Sequence, residues 1–141
     1  MEQVRTWVLT AGAVVLALLI LRLYEKHAGR RALLELTVDT GARQVRCFAL
    51  ADSGNRLREP FSGAPVIVAC RSLFPDMETP RVIPYQTVGG EGMLTAFRPH
   101  RVTVHSGKRR GTVGEVYVAL SEHIQNEDYQ AVVDPKIFSW E

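Results

Sequence analysis

Asp52, Ser53 and Gly54 follow the apolar run Val45-Arg-Cys-Phe-Ala-Leu-Ala51 and set a carboxylic acid in a tight turn at the end of a strand. A carboxylate presented in this way can activate water for attack on an amide carbonyl. It needs a second carboxyl group to share its proton, because two adjacent negative charges do not persist together. Gly54 permits the tight turn, the Ser53 hydroxyl can bond the surrounding loop, and Asn55 continues the polar segment. The chain offers one acid in such a strand-fed position. The chemistry therefore calls for two copies about a two-fold axis; without a second copy, Asp-Ser-Gly is ordinary turn composition.

A second triplet, Asp39-Thr40-Gly41, has the same form. It lies between two segments that read as strands, Leu34-Glu-Leu-Thr-Val38 and Gln44 to Leu50, with the Asp/Gly composition of a hairpin loop. In single-lobed aspartic proteases a hairpin precedes the catalytic turn and its second strand feeds the acid. By that topology Asp39 makes the hairpin and Asp52 carries the chemistry.

The elements that position these residues are short strands. Candidates run over Leu33–Val38, Gln44–Leu50, Pro65–Cys70, Arg81–Val88, Met93–Phe97, Arg101–His105, Gly114–Leu120 and Gln130–Val133, divided by Gly, Pro and Ser-Gly breakers. Strands at this spacing predict an all-β barrel or sandwich. Ser121 to Asp128 is the one helix-like stretch of this region. The glycine-rich connection Val88-Gly89-Gly90 reads as a mobile flap over a bound peptide or as a plain flexible hairpin. Tyr129 to Val133 supplies an apolar strand to pack under the acid turn, and Asp134, followed at once by Pro135, reads as structural.

Ahead of the strands, Trp7 to Leu21 holds fifteen residues without a charge, and Arg22, Leu23 and Tyr24 extend the run to eighteen. That length reaches roughly 27 Å, with Arg22 free to snorkel and Trp7 and Tyr24 at opposite interfaces. The bulky, charged flank after it lacks the small-residue pattern of a cleaved signal peptide. The expected organisation is an anchor over residues 1–28 and a β domain over 29–141. Arg22, Lys26, Arg30 and Arg31 outweigh Glu25 on the C-terminal flank, so the positive-inside rule puts the β domain in the cytoplasm.

Cys47 and Cys70 lack metal-ligand spacing and read as free thiols of a reducing compartment. The four histidines share no plausible ligand face, so neither a metal site nor a cofactor is expected. A net charge of +2 gives no argument for nucleic acid. The cluster Lys108-Arg109-Arg110 reads as a solvated hairpin tip.

Residues 49–68 (ALADSGNRLREPFSGAPVIV), 82–90 (VIPYQTVGG), 94–99 (LTAFRP) and 129–135 (YQAVVDP) together resemble the protease domain of the sporulation sigma-factor processing peptidases of endospore-forming bacteria. The resemblance implies a retropepsin-like single-lobe aspartic protease barrel behind a membrane helix, active as a homodimer with Asp52 as the catalytic acid. It implies removal of the pro-segment of a mother-cell sigma factor, pro-sigma-E, as the activity. A forespore-secreted signalling protein is the implied activator. Two departures stand out: the family carries several membrane spans ahead of the protease, and commonly has threonine at the place of Ser53. The alternative reading of the same residues is a catalytically silent, membrane-tethered β domain used for interaction or signalling.

Overall fold

A computed structural model of the chain describes residues 1–28, 32–124 and 126–141. The cationic pair Arg30–Arg31, expected to flank the membrane, lies outside the described residues. The chain divides into two compact units, Met1–Arg31 and Ala32–Glu141.

The first unit is one helix, α1 (Glu2–Ala28). Its segment Glu2–Tyr24 is long and apolar enough to cross a membrane. Thr6 and Thr10 do not interrupt it, because each hydroxyl donates to a carbonyl one turn back, Glu2 at 2.9 Å and Thr6 at 3.0 Å.

The second unit is a single sheet. Its strands are β1 (Leu33–Asp39), β2 (Gln44–Ala51), β3 (Val66–Cys70), β4 (Arg81–Thr87), β5 (Gly90–Phe97), β6 (Arg101–Ser106), β7 (Arg109–Thr112), β8 (Tyr117–Ser121), β9 (Ala131–Val133) and β10 (Ser139–Trp140). The spatial order is β10-β7-β6-β1-β2-β9-β3-β8-β5-β4. The all-β class read from the sequence holds, but the barrel does not close. The ladder ends on β4 and on the two-residue β10, which do not pair with each other, so the sheet is open. Two strands were absent from the sequence reading. Arg109–Thr112 is a strand rather than part of a hairpin tip, and the two-residue turn is Gly107–Lys108. Ser139–Trp140 pairs with it through Ser139↔Thr112 and Trp140↔Gly111. The described residues of the Ser121–Asp128 stretch form no helix.

Alternation along β1 sends Leu34, Leu36 and Val38 inward and Leu33 and Glu35 outward. The main core joins them to Val102 and Val104 of β6, Ile67 of β3, Val118 and Leu120 of β8, and Ala131 and Val133 of β9. A second, smaller cluster lies on the other face of β3, β8 and β5: Val66, Tyr117, Ala119 and Ala96, with Ala64 and Ile83. Every residue of β8 is therefore buried, as expected of a strand in a parallel pair covered on both faces. What covers the second face is the segment that follows Asp52, through Leu57 and Ala64.

The core strands set the stability. Ile67 is fully buried on β3, and Ile67→Ala removes three methyl-sized groups from a packed site. The expected loss is about 3 kcal/mol, a fall in melting temperature of roughly 12–20 °C, followed by circular dichroism. Val82→Ala, on the half-exposed edge strand β4, stays within about 0.5 kcal/mol of wild type.

Candidate active site

Both Asp-x-Gly triplets fold into the same local device. Asp39 Oδ1 accepts the Gly41 N–H at 2.8 Å, and Asp52 Oδ1 accepts the Gly54 N–H at 2.9 Å. Local turn chemistry thus does not separate them; their surroundings do. Asp39 pairs with Gln44 at the mouth of the β1–β2 hairpin, closed by Thr40 and Arg43. Asp52 leaves β2 where β9 runs beside it in parallel, with Ala51 opposite Val133. Its N–H donates to the Val133 carbonyl at 2.8 Å, and its own carbonyl accepts the Asn55 N–H at 3.1 Å. The backbone of the acid is pinned while its side chain is exposed.

Each of the neighbouring turn residues has a distinct position. Ser53 sits exposed at the apex. At Gly54 an added Cβ would lie 3.0 Å from Asp52 Oδ1, so the close approach of its N–H to the carboxylate favours glycine. Asn55 is half-buried; its amide donates to the Val66 carbonyl at 3.1 Å and its Oδ1 accepts the Leu57 N–H at 3.3 Å. These bonds tie the turn to β3. Asp134 leaves β9 next to Asp52 and caps the short 3-10 turn Pro135–Ile137, accepting the Lys136 N–H at 3.0 Å.

Farther along the loop stands a residue the sequence reading passed over. Glu59 is 1% exposed. Its carboxylate accepts the Ser62 hydroxyl at 2.5 Å, the Ser62 N–H at 2.7 Å and the Phe61 N–H at 3.2 Å. The Ser62 hydroxyl bond, helped by those two N–H groups and by the charge of Arg81, outweighs burial and holds the carboxyl below the usual carboxylate range. The signal in the sequence was slight: a glutamate before Pro60, with a serine three residues on.

The glycine-rich connection is a hairpin of β4 and β5 with a two-residue turn, Val88–Gly89, between Thr87 and Gly90. The Thr87 hydroxyl donates to the Gly90 carbonyl at 3.1 Å. Gly90 has φ +133°, a region that side chains oppose. Val88 is fully exposed. The arms of this hairpin face the acid turn across a cavity of about 520 Å³, lined by Gly54, Asn55, Arg56, Leu57, Tyr85, Gln86, Thr87, Leu94, Ser121 and His123. The fold thus brings the acid turn and the hairpin arms to one groove; the tip residues Val88, Gly89 and Gly90 are not among its lining. A cavity of similar size, about 560 Å³, opens on the outer face of β1, β2 and β6 around Arg46, Phe48 and His105, with no residue of the acid turn in it.

Thiolate chemistry is not served here. Cys47 and Cys70 are free and half-buried, and burial, with Cys70 nearby, pushes the Cys47 thiol up to about 11. Among the described residues, no group of three His, Cys, Asp or Glu side chains is placed to hold a metal ion.

The sequence model of Peptidase_U4, described as sporulation factor SpoIIGA, matches residues 1–78 and again 74–137. The chain belongs to the SpoIIGA family. The first match runs from α1 past the Asp52 turn and β3, and the second covers the β4–β5 hairpin through β9. The SpoIIGA family is one of sporulation-related proteases, and that class applies to this chain. Neither the curated proteins nor the solved structures gave a match.

The Glu59 carboxylate makes a pH-dependent contribution to stability. Folding lowers its pKa, so the contribution is complete above the ordinary glutamate value of 4.5 and is lost as the pH falls through the lowered value. Glu59→Gln therefore melts below wild type at pH 7, and the gap narrows as the pH is taken down below 4.5. Melting curves at several pH values check this; a gap independent of pH would contradict it.

Proposed function

We propose that the chain is an aspartic endopeptidase of the mother-cell membrane, active as a homodimer, that removes the pro-segment of the sigma factor pro-sigma-E. The observation that carries the reading is Asp52 itself: an exposed carboxylate on a backbone pinned to Val133, beside a groove bounded by a glycine-rich hairpin. One protomer contributes one such acid. A two-fold axis through this end of the sheet would set two Asp52 carboxyl groups together, sharing one proton. The ionised partner then takes a proton from water as the water attacks the scissile carbonyl, and the protonated partner gives its proton to the carbonyl oxygen.

An extended peptide suits the groove, because β4 is the outermost strand of the open sheet and a strand-like substrate can be held by backbone hydrogen bonds. The β4–β5 hairpin serves in this reading as the flap, Val88–Gly90 as its tip, and Ser53, Gly54 and Asn55 as the support of the acid. The anchor places the β domain on the cytoplasmic side, where a sigma-factor precursor held at the same membrane meets it at raised effective concentration. A forespore-secreted protein is the proposed activator.

Co-expression with the cognate precursor tests the chemistry. Asp52→Asn reduces processing by at least about 100-fold, whereas Asp39→Asn retains most of it, since asparagine serves equally well in a hairpin turn. With wild type and Asp52→Asn in equal amounts and random pairing, roughly a quarter of the dimers stay competent. Activity in simple proportion to wild-type dose would speak against the dimer. Processing that survives Asp52→Asn and is lost in Asp39→Asn would invert the assignment of the two triplets, and no processing by a verified wild-type dimer would leave the domain as an interaction module.

Orientation is checked separately. Four cationic residues, Arg22, Lys26, Arg30 and Arg31, follow the apolar run within ten positions. A reporter active only outside the cytoplasm, fused after Glu141, is therefore expected to be silent.

A further inference from the structure

From the groove beside the acid turn we infer a charge-selective substrate subsite, one that takes an aliphatic side chain with an acidic side chain two positions away. The inference rests on the aspartic-protease reading above and assigns a substrate preference to its site. Leu57 and Leu94 line the cavity and are also packed against the second hydrophobic cluster. The apolar part of the lining is therefore backed by a rigid core and suits an aliphatic side chain. Its volume of about 520 Å³ leaves room for a second side chain.

The one permanently charged side chain of the lining is a cation, Arg56. Arg56 and His123 line the cavity and both are exposed; no carboxylate belongs to the lining. Their backbones are held. Arg56 lies between Asn55, bonded to the Val66 carbonyl, and Leu57, whose N–H is bonded to Asn55. The His123 N–H donates to the hydroxyl of buried Ser121 at 3.1 Å. Of the acids nearby, Glu59 is bonded to Ser62, and Asp52 is replaced by a neutral amide in the Asp52→Asn protein used below. Glu122 lies 3.5 Å from Arg71, and Glu91, opposite Gln86 in the hairpin, lines a separate cavity.

Side chains of an extended peptide alternate between faces, so two that enter the same cavity are two residues apart. An aliphatic residue over Leu57 and Leu94 brings its second neighbour to Arg56 and His123. Glutamate is attracted there and lysine is repelled.

Binding of labelled decapeptides to the full-length Asp52→Asn protein in detergent micelles, followed by fluorescence anisotropy, tests this without turnover. The peptides are identical except for a central Glu-Ala-Leu, Gln-Ala-Leu, Lys-Ala-Leu or Glu-Ala-Ser. The Glu-Ala-Leu peptide is expected to bind about five- to tenfold more tightly than Lys-Ala-Leu, with Gln-Ala-Leu between them. Glu-Ala-Ser is expected to bind more weakly than Glu-Ala-Leu. Arg56→Glu, at an exposed side chain, reverses the Glu-to-Lys order; should that variant fail to fold, Arg56→Gln removes the preference for Glu over Lys. Equal binding of all four peptides, no binding of any, or an order unmoved by the charge reversal overturns the subsite. Failure of the protease reading shows elsewhere, as precursor processing that survives Asp52→Asn.

Discussion

Three residues, Ala131 to Val133, hold the sheet together. β9 lies between β2, to which it is parallel, and β3, to which it is antiparallel, and among the described residues it is the strand that joins the two halves of the strand order. Its two inward residues, Ala131 and Val133, are completely buried. A strand so short has little stability of its own; it is fixed by neighbours on both sides and by Gln130, whose side chain and backbone both bond Phe48. The same strand supplies the carbonyl that receives the Asp52 N–H. The join between the halves and the placement of the acid are one interaction.

Around that join, the segment after Asp52 has two tasks. It carries the acid turn away from β2 and it covers the second face of β3, β8 and β5 with Leu57 and Ala64. Covering that face draws Glu59 under the surface, where a carboxylate needs strong donors. Two backbone N–H groups and a hydroxyl meet the need. The loop is thus ordered by apolar packing at Leu57 and Ala64 and by charge-assisted hydrogen bonds between them. Leu57 passes that order on to the groove, since the side chain that packs below also lines the cavity above.

Much of this was legible in the residues because strand alternation is a local signal. Eight strands were read at or near their observed places. The misses have physical causes. Arg109–Thr112 is short and polar and becomes a strand through pairing with Arg101–Ser106, not through its own pattern. Ser139–Trp140 is two residues long and depends on β7. Gly90 and Gly92 read as loop, yet the hairpin arms run on to a two-residue turn and β5 begins at Gly90. Whether the sheet closes depends on the partners of its end strands, which no local pattern encodes. In the site, the acid turn was visible as a motif. The burial of Glu59 and the placing of Arg56 and His123 on one cavity were not, since each depends on segments far apart in the chain.

The β2–β9 join also sets an order in time. Phe48 and Gln130 are 82 residues apart, so the contact that seats Asp52 closes a long loop and belongs to the slow, non-local class of folding events. At ribosomal rates, on the order of 5–15 s separates synthesis of the acid turn from synthesis of the strand that fixes it. During that interval the apolar helix α1 has already been made, while the carboxylate has no settled backbone. A nascent chain would thus present its apolar helix well before the Asp52 turn is seated.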